Sequence, residues 1–150
     1  MRLKIWALGI AIGVALLSCS CSSSSDTTAQ KVGSWVSSTG LSGGIAQIRS
    51  DAADVRKVER TMDPGAIRAD CAALDLDTES ANQNLPSPDE QLTTDLSDAY
   101  SAEIQAAQDC YHGAGKSASL IARSQIAQSA ADSDISEALS LLQRLTGRSA

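Results

Sequence analysis

Phenylalanine is absent from the 150 residues, prolines number three, aromatic residues make up 3%, and histidine occurs once. Sandwiches and barrels draw on β-branched and aromatic side chains, so a chain this poor in aromatics does not point to one. A single histidine rules out a multi-histidine metal site. It also rules out a di-iron bundle, which needs two histidines with several glutamates on facing helices. Positive charge is scarce as well: Lys+Arg 12 against Asp+Glu 18 gives a net charge of −6, where a nucleic-acid binder would carry a basic patch. Small residues take up the room, with 24 Ala and 23 Ser. That composition suits thin, closely packed helices in one domain.

The chain also lacks an apolar run long enough to cross a bilayer, which takes about 20 residues. Its longest, Ile5 to Leu17, follows the positive pair Arg2 and Lys4 and has the length of a signal-peptide core. Next come Leu16-Leu17-Ser18-Cys19, which resemble the lipobox of bacterial lipoproteins. The resemblance implies cleavage before Cys19 and acylation of its thiol with palmitate-type chains, an anchor that does not span the membrane. Cys21 fits the pattern poorly, because Ser18 would take the aliphatic position. Loss of residues 1–18 removes Arg2 and Lys4, leaving 10 cations against 18 acids and a net charge of −8. Residues 19–33 read as lipidated Cys and Ser/Thr-rich tether, and 34–150 as the folded domain.

From Ser34 onward apolar residues follow helical spacing. Ile45, Ile48, Ala52, Val55, Val58 and Met62 form a first stripe, which Trp35, Val36 and Leu41 extend upstream. Asp63-Pro64-Gly65 is a stop followed by a start, with Asp at the N-cap and Pro at the first helical position. Ile67, Cys71, Leu74, Thr78 and Ala81 make the second stripe. Pro86 and Pro88 break the chain again, and Ser87 with Glu90 reads as a capping box. The third helix carries Leu92, Leu96, Ala99, Tyr100, Ala106, Ala107 and Cys110 and ends at Gly113 as a left-handed cap. The fourth runs from the Ser117 cap through Leu120, Ile121, Ala127, Ala131, Ile135, Leu139, Leu142 and Leu145 to Gly147. The expected fold is all-α: a small antiparallel bundle of four helices. The alternative has three, with the first two merged into one long helix kinked at Pro64.

An exported chain permits disulfides. Cys71 and Cys110 lie on the apolar stripes of consecutive antiparallel helices, which favours their pairing; the other pairings join Cys21 to either.

The early Trp35, Asp-Cys-Ala-Ala-Leu at 70–74, Leu-Pro-Ser-Pro-Asp at 85–89 and Ala-Ala-Gln-Asp-Cys at 106–110 together resemble a group of actinobacterial, notably mycobacterial, lipoproteins and secreted helical proteins. The resemblance covers roughly 35–145. It implies an extracytoplasmic helical domain with one disulfide, and brings no activity with it.

The candidate chemistry is thin. Cys110-Tyr111-His112 lacks the C-x-x-C-H of covalent haem attachment. Asp75-Leu76-Asp77-Thr78-Glu79 starts like a calcium loop, but Ser80 and Pro86 stand where Gly and Glu belong. No G-x-S-x-G occurs, and Asp51/Asp54 and Asp95/Asp98 read as solvated charge. The sequence therefore points away from an enzyme and implies no cofactor, metal or nucleic acid. Two expectations remain. One is a lipid-anchored protein on the extracytoplasmic face of the cell membrane, whose helical domain binds an envelope protein. The other is a carrier or sensor of a small apolar ligand in the bundle core.

Overall fold

A computed structural model describes residues 27–147. Among them are five α-helices and no strand: α1 Thr28–Thr39, α2 Leu41–Val58, α3 Pro64–Asn82, α4 Glu90–Gly113 and α5 Ala118–Thr146, with a 3-10 turn at Glu59–Thr61. The all-α expectation holds, and the upstream stripe resolves into two helices rather than one. Near the end of α1 the hydroxyls of Ser37, Ser38 and Thr39 bond back to the carbonyls of Gly33 and Trp35, which competes with the helical ladder. Gly40 then turns left-handed at φ 64° and starts α2.

Each further boundary has a local cause. Met62 takes a left-handed conformation at φ 57° and Asp63 caps α3, its carboxylate accepting from the Gly65 and Ala66 amides. A continuous helix through Pro64 is thereby excluded. Before α4 the N-cap is Asp89, which accepts from Leu92 N at 2.9 Å. Ser87, expected as that cap, instead donates to the Asp89 carbonyl at 2.6 Å. Helix α4 runs through Gly113, and the left-handed glycine is Gly115, two residues beyond the expected stop. Ser117 caps α5 and Gly147 closes it, as the sequence leads one to expect.

Helix α1 also corrects the tether. Thr27 and Gln30 form a capping box and Val32 is fully buried, so residues 28–33 belong to the folded domain. The remainder of the leader and tether, with Cys19 and Cys21, lies outside the described residues.

Helices α2 to α5 pack each against the next in sequence. Polar bridges from α2 and the turn after it close the ring onto α5: Arg49 to Ser136, Arg56 to Gln128 and Asp132, and Gln125 to Glu59. Their register runs antiparallel. Helix α1 lies against α5, and Trp35 Nε1 donates to Asn84 O at 3.2 Å. One end of the bundle therefore gathers α1, the 83–89 connector and the end of α5. The other gathers the 59–63 and 114–117 turns.

Helix α4 sits between α3 and α5 and buries the widest face. Ala99, Ala106 and Ala107 on α4 and Ala131 and Ala138 on α5 are buried. Small side chains let these helix axes approach closely. Ile48, Leu74, Leu92, Leu96, Tyr100 and Ile135 fill the axis of the bundle. Cys71 and Cys110 meet at disulfide distance, Cα to Cα 6.0 Å, both fully buried.

Candidate functional site

The core stripe of α5 keeps Ala131, Ile135 and Leu142 of the expected set and takes Ser124, Gln128 and Ala138 in place of the rest. Its buried positions are Ser124, Gln128, Ala131, Ile135, Ala138 and Leu142, a 4-3-4-3-4 spacing. Leu120, Ile121, Ala127, Leu139 and Leu145 flank that seam as half-buried residues. On α4 the stripe includes Glu103, between Tyr100 and Ala106, and Glu103 is 1% exposed. The interior read from the sequence as a lining for a small apolar ligand thus carries a carboxyl, an amide and a hydroxyl.

These groups form a polar cluster under the α2–α5 seam. Arg56 Nη1 reaches Gln128 Oε1 at 3.3 Å and pairs with Asp132 at 3.4 Å. Glu103 Oε1, Gln128 Nε2, Ser124 Oγ and the Tyr100 hydroxyl have no hydrogen-bond partner among the described residues. Burial pushes the Glu103 carboxyl up to about 7; the negative charge of Asp132 adds to the rise and Arg56 opposes it. Burial likewise raises the Tyr100 hydroxyl to about 12. Outside this cluster a cleft of about 400 Å³ opens between α2 and α5, lined by Arg56, Glu59, Arg60, Gln125 and Gln128. Glu103 can exchange a proton near neutrality but has no histidine beside it. His112 lies nine residues further along α4, about 13 Å up the axis, exposed and edge-on to Tyr111 with ring centroids 5.5 Å apart.

A second concave site lies at the end of the bundle away from α1. Met62, Ile67, Ile121, Gly113, Gly115, Ser117 and Ala118 line a depression of about 350 Å³, with Glu59 and Lys116 as its two charged residues. The site is held by close packing between turns. A Cβ on Gly115 would meet Pro64 at 2.7 Å, and one on Gly113 would meet Leu120 at 2.9 Å. Arg68 donates to Ala114 O at 2.9 Å across the same junction. Met62 is 83% exposed.

The remaining sequence candidates fall as follows. Cys110 is taken by Cys71, over which Leu76 and Tyr111 stand exposed on a groove between α3 and α4. Residues 75–79 lie inside α3 rather than in a loop, with Thr78 buried and its hydroxyl donating to Leu74 O. Asp51 faces Asp77 across α2 and α3, and its carboxyl is raised, first by burial and then by Asp77. Asp109, buried in α4, pairs with Arg123, which holds its carboxyl below the ordinary value. Glu103, Ser124 and Gln128 escaped the sequence reading. No periodicity signal marked Glu103, because Ile104 beside it offers an apolar residue at the same turn of the stripe.

No protein family, curated protein or solved structure matches the chain.

Proposed function

We propose that the chain is a lipid-anchored protein of the extracytoplasmic membrane face whose helical bundle is a non-enzymatic interaction module for an envelope protein. The observation that carries this reading is the Leu16-Leu17-Ser18-Cys19 sequence behind a positive, apolar leader. The helical body is consistent with it. Residues 20–27 separate Cys19 from α1, a reach of at most about 28 Å at about 3.5 Å per residue. The bundle would stand close to the lipid with its far end outward. Exposed Met62, Leu76, Tyr111 and Ile126 supply apolar contact points of the kind that partner surfaces use.

Intact-mass spectrometry of the protein from its native host, before and after reduction, tests the reading. The expected mass begins at Cys19, carries acyl chains and rises by two hydrogens on reduction. Cys19→Ala is expected to leave an uncleaved precursor or release the protein. Detergent-dependent membrane association of that variant at the wild-type level would refute the anchor.

A further inference from the structure

Four large apolar side chains stand exposed among the described residues, and two of them, Leu76 at 66% and Tyr111 at 44%, flank one groove between α3 and α4. The groove encloses about 470 Å³. Small residues create it: Ala72 and Ala107 lie beside the buried Cys71–Cys110 pair and leave the space between the two helices open.

Its charge is one-sided. Asp75 and Glu79, one turn apart on α3, line the groove, and no Lys or Arg of the described residues does. Arg68, two turns back along α3, donates instead to Ala114 O at 2.9 Å. Asp75 Oδ1 is buried without a hydrogen-bond partner among the described residues. Burial raises the Asp75 carboxyl, the negative charge of Glu79 adds to the rise, and Gln108 from α4 opposes it. A cation brought into the groove would offset the repulsion between the two carboxylates. The exposed Tyr111 ring on the α4 side gives that cation an aromatic surface to rest on. Apolar rim residues beside unneutralised acids fit an amphipathic helix that carries an apolar anchor and a Lys or Arg on one face. An anionic bilayer would be repelled by the same carboxylates. We infer that the α3–α4 groove is a docking site for a basic amphipathic helix of a partner protein, whose apolar side chain lies between Leu76 and Tyr111 while Asp75 and Glu79 hold its cations. The inference rests on the interaction-module reading and names the partner's chemistry.

Tyr111 is one of two tyrosines, and the other, Tyr100, is fully buried, so fluorotyrosine labelling gives one resonance for the groove and one for the core. The mature protein, reconstituted in phosphatidylcholine nanodiscs, is titrated with a synthetic helical peptide bearing two leucines and two arginines on one face. A saturable shift of the Tyr111 resonance is expected, weakened about tenfold by the double change Asp75→Asn and Glu79→Gln and absent when glutamates replace the arginines. The Tyr100 resonance at its wild-type position reports that the variant is folded. No shift, an equal shift with the glutamate peptide, or undiminished binding by the variant overturns the inference. So does a Tyr111 shift that follows protein concentration without peptide, which would make the groove an interface between copies of this chain. Photo-cross-linkers at positions 111 and 126 separate this failure from that of the broader reading. A partner captured through 126 and not 111 overturns the groove and leaves the module standing. A groove that binds on a chain lacking acyl mass overturns the anchor alone.

Discussion

Glu103 sits where a leucine would serve stability better. Its carboxyl is 1% exposed and shifted from its ordinary 4.5 to about 7, mainly by burial. Below the lower value the group is neutral in both folded and unfolded chains and has no effect. Between the two values the unfolded chain is ionised while the folded one keeps its proton, so stability falls as pH rises. By pH 8 the loss reaches about 3 kcal/mol. Asp51 and Asp75, also raised by burial and neighbouring acids, add to the same slope. Glu103→Gln is expected to leave stability at pH 4.5 nearly unchanged and to recover most of that loss at pH 8. Urea midpoints at the two pH values decide it, and an unchanged slope in the variant would show that the carboxyl titrates normally.

At the scale of elements, capping chemistry sets the boundaries. Asp63→Ala removes the acceptor for the Gly65 and Ala66 amides and is expected to cost about 1 kcal/mol, readable as a lowered thermal midpoint with the helical circular dichroism retained. Pro64 and Ser117 were legible because proline at a first turn and serine at a cap each have one dominant local use. Ser87 was misread because Asp89, two residues on, offers a stronger acceptor at the same turn. The core face of α5 was legible only in part, at Ala131, Ile135 and Leu142. Its sequence offers large apolar residues at 120, 121, 139 and 145, yet the core takes Ser124, Gln128 and Ala138. Periodicity in side-chain size reports the core only where large residues occupy it, and here close approach of α4 puts small and polar ones there. Glu103 was hidden for the same reason. The left-handed φ of 64° at Gly40 separates α1 from α2, and two more glycines follow at 43 and 44. The latter two nevertheless lie within α2.

For the whole molecule, the thin core makes the cross-link found among the described residues matter. Cys71 and Cys110 are separated by 39 residues; closing a loop of that length is worth about 4 kcal/mol in the chain-entropy model, against about 5–15 kcal/mol for a typical domain. Cys71→Ser is expected to lower unfolding stability by about that amount. Equal denaturant midpoints of the variant and the wild type would show that the cross-link contributes nothing. The all-α class and the pairing of these two cysteines were both legible, because they rest on residues with few alternatives in a chain otherwise made of alanine and serine.

The order of helices also sets how the molecule would respond to being pulled. A tension applied between residue 27 and Met62 runs through α1 and α2 alone, since both attachment points precede α3. The α2–α5 seam is held by a few long polar bridges at 2.8 to 3.3 Å, and these share the load with the apolar contact of α2 on α3. Extension would peel α1 and α2 from the rest, releasing roughly 120 Å of contour at about 3.4 Å per residue. The Cys71–Cys110 pair, which joins α3 to α4, would lie outside the loaded path. Such a pull would be felt by α1 and α2 and would leave that cross-link unloaded.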